Sequence, residues 1–132
     1  MSKPKAPRWH GKTWHSTRSW ARTVKQCIDE KWVPISEDRE EDEGSANCAL
    51  CRRAEIESEE VCLVCPVELT GGYGCAATPY MAWKRHQVHE CHGSGACPVC
   101  HKIALAEVAY LQRLHGKMLR WLRKHANGRA VT

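Results

Sequence analysis

The stretch NCALCRRAEIESEEVCLVC, residues 47–65, decides how this chain is held together. It carries Cys48 and Cys51 separated by two residues and, after a charged interval, Cys62 and Cys65 at the same spacing. Two such pairs can aim their sulfurs at one tetrahedral ion at about 2.3 Å, the zinc–thiolate distance. Neutralising thiolate charge on the metal then allows compact folding where large apolar side chains are scarce. Cys75 brings a fifth thiol close by. A centre of Cys48, Cys51, Cys62 and Cys65, and one in which Cys75 replaces Cys62 or Cys65, are both open readings.

A second group of donors follows as His86-x2-His89-x-Cys91-His92 and then Cys97-x2-Cys100-His101. His86 and His89, three positions apart on a helix, share a face. The preferred second set is His86, Cys91, Cys97 and Cys100, with His89 or His92 able to replace either upstream member. The expected cofactor is Zn2+, one or two ions.

A chain of 132 residues suits a single domain. It has no Phe, and Glu37–Cys75 is thin in large apolar side chains, although six Trp compensate elsewhere. Nine cysteines would also suit the disulfide scaffold of a secreted protein. However, Met1 is followed by SKPKAPRWHGK, neither a signal peptide nor a membrane span, and the cysteine count is odd. Reduced, metal-bound thiols in the cytoplasm are the expectation.

The net charge of +5 hides a pattern. Residues 1–35 carry eight Lys/Arg against two acids, residues 36–82 three against eleven, and residues 83–132 nine against two. Basic arms suit phosphate or an acidic protein surface. Alternatively, they neutralise the acidic middle within the chain.

The expected fold is mainly α, a small zinc-stabilised helical domain with irregular Cys-rich loops. Residues 1–15 read as a loose basic arm whose Trp9 and Trp14 dock on the remainder, 16–126 as one domain, and 127–132 as a flexible tail. Ser16 is positioned to cap a first helix with the stripe Trp20, Val24, Cys27, Ile28 and Trp32. Cys27 lies on that stripe without a nearby cysteine partner and reads as core packing. Val33, Pro34 and Ile35 are expected to end the unit, and the acidic run from Ser36 to Asn47 reads as a solvated loop. A short charged helix is expected within 49–60. Thr70–Cys75 reads as a tight glycine-rich turn. Thr78 and Pro79 have the grammar of a helix start, with Met81, Ala82 and Trp83 opening its apolar face towards His89. The strongest helix has Ala104, Val108, Leu111, His115, Met118 and Leu122 along one side. Leu105, Leu114, Leu119 and Trp121 widen that surface, and Asn127-Gly128 supplies a stop.

Enzyme signatures fail one by one. The glycine-rich turn lacks the phosphate-loop order, no His-Glu-x-x-His motif is present, and the His-x-Glu of zinc deaminases is missing. Interleaved Cys pairs favour zinc over redox chemistry, and four protein ligands leave no open position for hydrolysis. No catalytic residues are nominated.

The segments Asn47-Cys-Ala-Leu-Cys51, Cys62-Leu-Val-Cys-Pro66, Thr70-Gly-Gly-Tyr-Gly-Cys75 and Thr78-Pro-Tyr80 resemble a family of small cysteine-rich hypothetical proteins encoded by bacteriophages. Ala106-Glu-Val-Ala-Tyr-Leu111 is similar to that family's C-terminal helical region, so the resemblance spans roughly residues 20–115. It implies a phage or prophage accessory protein in the bacterial host's cytoplasm and no catalytic residue. The leading functional expectation is a module that binds and modulates a host protein, with no membrane partner. The alternative is a nucleic-acid-binding accessory or regulatory factor, and a metal-dependent enzyme acting through an open His/Cys site is the least favoured reading. Contacts would come from Trp9, Trp14, Arg18, Arg113, Lys117, Arg120, Arg123 and Lys124, the basic residues pairing with phosphate and the indoles stacking on bases.

Overall fold

The computed structural model describes residues 6–37, 39, 42, 47–57, 65–67, 78–89 and 97–126, without the side chains of 87–89. Among these residues helix dominates and there is no β-strand, only an isolated antiparallel bridge between Trp9 and Lys12. The elements are α1 (Trp14–Cys27), a π-helical turn (Ile28–Trp32), α2 (Val33–Ser36), α3 (Ala49–Glu57), α4 (Tyr80–His89) and α5 (Pro98–Lys124). The mainly helical expectation holds.

The entry to α1 is built by a tight turn. Trp9 and Lys12 exchange backbone hydrogen bonds of 3.0 and 2.9 Å around His10 and Gly11, which both have positive φ. Glycine adopts that conformation without steric cost, which suits Gly11 at φ 81°. The turn delivers Thr13, whose hydroxyl accepts the Ser16 backbone N–H at 3.1 Å. Thr13 is therefore the N-cap, and the helix begins at Trp14, earlier than the Ser16 cap predicted. Trp9 and Trp14 are both buried, so the two indoles of the N-terminal arm dock on the remainder.

The predicted stripe Trp20, Val24, Cys27, Ile28 and Trp32 is buried throughout. Pro34 does not end the unit as expected. A proline ring in a continuing α-helix clashes with the carbonyl four residues back. Here the preceding turn is π-helical, with the Val33 N–H bonded to the Ile28 carbonyl, and Pro34 falls at the start of α2, where no N–H is required.

Helix α1 packs principally against α5. The two are antiparallel: Trp14 at the start of α1 reaches Leu122, while Cys27 and Lys31 share a cavity with Glu107 and Leu111. On α5 the predicted side is buried at Ala104, Val108, Leu111, Leu114, Met118 and Leu122, with His115 only half-buried. Leu105 and Leu119 face outwards.

Tryptophan does the work that phenylalanine does elsewhere. Trp32 meets Tyr80 and Trp83 edge to face, each at 5.6 Å between ring centroids. Trp20, fully buried, lies under the guanidinium of Arg53 at 4.2 Å, which ties α3 to α1. Helix α4 begins as predicted, the Thr78 hydroxyl accepting the Tyr80 N–H at 3.1 Å. Its buried apolar contact is Trp83; Met81 is half-buried and Ala82 exposed.

The acidic segment is not wholly solvated. The side chain of Asp42 is largely enclosed and pairs with Lys31 at 3.0 Å, while its other oxygen accepts from the Tyr80 hydroxyl and the Trp83 indole, both at 3.1 Å. The expected tail at 127–132 lies outside the described residues.

Candidate metal centre

Cys97 sits at the N-cap position of α5 in extended conformation, with Pro98 as the first helical residue and Cys100 in the first turn. A proline there costs no hydrogen bond, since the first N–H groups of a helix lack intrahelical acceptors. The backbone N–H of Cys100 bonds to the Cys97 sulfur and, with the His86 imidazole and the Val99 N–H, draws the Cys97 thiol down to a pKa of about 6. Helix α4 carries His86 into this position from the other side. Its Nε2 lies 3.4 Å from the Cys97 sulfur.

The donor atoms of His86, Cys97 and Cys100 all lie within 4.8 Å of one another. A tetrahedral zinc with nitrogen at about 2.0 Å and sulfur at about 2.3 Å requires an N···S edge of about 3.5 Å. The arrangement could therefore hold a metal ion. Three of the four residues in the preferred second set are brought together; Cys91 lies outside the described residues, as do His92 and the side chain of His89. His101 is engaged elsewhere, its Nδ1–H donating to the Ser36 carbonyl at 2.7 Å and fastening α2 to α5.

The other Cys pair repeats this local grammar. Cys48 immediately precedes α3, the Cys51 N–H donates to its sulfur at 3.4 Å, and the Arg52 N–H caps onto its carbonyl at 2.9 Å. The same relation holds between His101 N–H and the Cys97 carbonyl at 3.0 Å. Cys48, Cys51 and Cys65 line a cavity of about 240 Å³ together with Lys31, Trp32 and Glu107. Cys62 and Cys75 lie outside the described residues.

Sequence reasoning assigned Cys27 to core packing. It is 1% exposed, but its sulfur is 3.9 Å from that of Cys48 and it lines the same cavity. The sequence offers no local signal for this, because Cys27 has no cysteine within a helical turn. The hydrogen bond between them holds the Cys48 thiol well below the usual thiol pKa and pushes that of Cys27 up.

Among the predicted contact residues, Arg18, Arg113, Lys117, Arg120, Arg123 and Lys124 are all exposed. Trp9 and Trp14 are buried, and the Trp14 indole N–H is committed to the Leu122 carbonyl at 2.9 Å. Neither indole is presented for stacking on a base. Trp14 instead walls a groove of about 390 Å³ with Arg18, Leu119, Leu122, Arg123 and Ala126. No described helix is long and apolar enough to cross a membrane. No family model, curated protein or solved structure matches this chain.

Proposed function

We propose that the chain is a non-catalytic, zinc-fastened helical module of phage or prophage origin that acts in the bacterial cytoplasm by binding and modulating a host protein. The observation that carries this reading is the groove at the C-terminal end of α5. Its apolar wall is formed by Trp14, Leu119 and Leu122, and Arg18 and Arg123 flank it. Leu119 is 40% exposed, an apolar side chain left for a partner to cover. Apolar burial contributes about 25 cal/mol per Å², and guanidinium groups select carboxylates through paired hydrogen bonds. The combination fits an acidic segment of a protein that also carries apolar side chains.

The donor chemistry of His86, Cys97 and Cys100 favours zinc, which accepts mixed imidazole and thiolate ligands. From Cys100 to Leu122 the helix rises roughly 33 Å at 1.5 Å per residue. In this reading the metal fastens one end of α5 while the other end makes contact. The motifs shared with cysteine-rich bacteriophage proteins support the phage setting.

Nucleic-acid binding is the second reading, favoured by the exposed Arg113, Lys117, Arg120, Arg123 and Lys124 on one helix. Such a series would make salt-sensitive phosphate contacts. The burial of Trp9 and Trp14 weighs against a single-stranded ligand.

The test is affinity capture from a bacterial lysate with and without nuclease, using the wild-type chain and an Arg18→Glu/Arg123→Glu variant. One discrete protein that survives nuclease and is lost from the variant supports the proposal. Capture that disappears with nuclease and falls steeply with salt transfers the reading to nucleic acid.

A further inference from the structure

We infer that the cavity walled by the π-helical turn, α3, α4 and α5 binds a small neutral aromatic alcohol, whose hydroxyl group is received by Glu107. This site lies apart from both the metal group and the groove. Among the described residues its lining includes none of His86, Cys97, Cys100, Trp14, Leu119 or Leu122.

The wall sets the body of the ligand. Trp32 and Leu50, with Val67, Tyr80 and Leu111, make it mostly apolar. An apolar void of about 150 Å³ admits benzene. At about 240 Å³ this cavity has room for a single ring bearing one or two small substituents. Aromatic walls favour an aromatic guest, because ring edges and faces attract in offset and perpendicular arrangements. Trp32 and Tyr80 already meet in the perpendicular way, at 5.6 Å between centroids.

Glu107 sets the head group. It is 4% exposed and lines the cavity, and its Oε2 has no hydrogen-bond partner among the described residues. Leaving a buried polar atom unpaired is costly, and a mostly apolar wall interrupted by one such oxygen is the pattern of a ligand site. The Thr78 hydroxyl and the Tyr80 N–H bond to the carboxyl group and hold it in place. A hydroxyl on the ligand both donates and accepts, so it satisfies Oε2 whether the carboxyl is ionised or protonated. An ammonium or a carbonyl matches only one of those states.

The other charges on the wall do not call for an ionic guest. Lys31 is paired with Asp42 at 3.0 Å, and Lys84 is exposed to solvent. The apolar surroundings penalise a charged ligand further.

The test titrates the reduced, full-length chain with para-cresol and, separately, with para-xylene, which has a methyl group in place of the hydroxyl and nearly the same shape. The methyl resonances of Leu50, Val67 and Leu111 report on the cavity. The cresol is expected to saturate one site, to shift those methyls and to bind at least about tenfold tighter than the xylene, since only the cresol pairs with Glu107. Glu107→Met keeps most of the side-chain volume and removes the carboxyl, so it should bring the two affinities together. The wild-type ratio decides the matter should Glu107→Met not fold. No saturable shift at those methyls, equal affinity of the wild type for the two compounds, or an unchanged ratio in a folded Glu107→Met variant overturns the inference.

Discussion

Lys31 and Asp42 form an ion pair at 3.0 Å with side chains only 3% and 8% exposed. The lysine comes from the π-helical turn and the aspartate from the acidic segment, so a local run of like charge is anchored by one member. The aspartate is also the shared acceptor for the Tyr80 hydroxyl and Trp83 indole. Through these bonds α4 is held against the region that follows α1.

Removing one partner of such a pair leaves an uncompensated buried charge. Asp42→Ala is expected to cost roughly 3–5 kcal/mol, since Lys31 and two further donors lose their acceptor. Lys31→Met combined with Asp42→Leu should cost less than the single change, because neither charge remains, although the Tyr80 hydroxyl and Trp83 indole still lose their acceptor. Chemical denaturation of the single and double variants reads the difference. An Asp42→Ala variant as stable as the wild type would refute the buried pair.

The His86, Cys97 and Cys100 group predicts a metal-dependent contact between α4 and α5. His86→Ala and Cys97→Ser should each lower bound zinc by about one equivalent and reduce stability, whereas Arg85→Ala, on the exposed side of α4, should retain it. Metal analysis of freshly purified reduced protein, followed by denaturation with and without a chelator, provides the measurement. Retention of the full metal content by Cys97→Ser would exclude it from the ligand set.

Helices and motifs local in sequence were legible. The α5 side follows from a 3.6-residue period, and the Thr78-Pro79 start follows from two adjacent residues. Two members of the candidate metal group, Cys97 and Cys100, are a spaced pair, with His86 on the preceding helix. Features that depend on distant partners were not legible. Nothing separates Asp42 from the acids around it until Lys31, Tyr80 and Trp83 converge, and nothing marks Cys27 until α3 sets Cys48 beside it. Ser16 and Thr13 carry equivalent hydroxyl chemistry, and the His10-Gly11 turn decides which one caps. Pro34 reads as a stop unless the π-helical turn that accommodates it is known.

Glu107 predicts a pH dependence with a definite sign. Burial, partly opposed by the Thr78 hydroxyl and Tyr80 N–H, raises its pKa from 4.5 to about 7. The folded chain therefore holds a proton that the unfolded chain releases between about pH 4.5 and 7, and stability falls across that interval. At 1.36 kcal/mol per unit, the loss is of order 3 kcal/mol and is complete above about pH 7. Glu107→Gln should remove this dependence, so its stability relative to wild type should increase from pH 5 to pH 8. Parallel stability profiles for the two proteins would contradict the buried carboxyl.

Trp14 predicts a coupling between fold and groove. The Leu122 carbonyl is among the last four of α5, which have no intrahelical donor in an α-helix, and the Trp14 indole supplies one at 2.9 Å. Trp14→Phe keeps most of the apolar contact but removes that donor, and is expected to cost about 1 kcal/mol. Amide exchange should accelerate in the last turn of α5 while the amides around Cys100 retain their protection. If the groove binds a host protein, Trp14→Phe should weaken capture along with Leu119→Asp, although the indole is too buried to be a principal contact. Its effect would pass through the position of Leu122 and Arg123, on the helix end it holds in place. Uniform exchange along α5 would instead assign the indole a general role in packing.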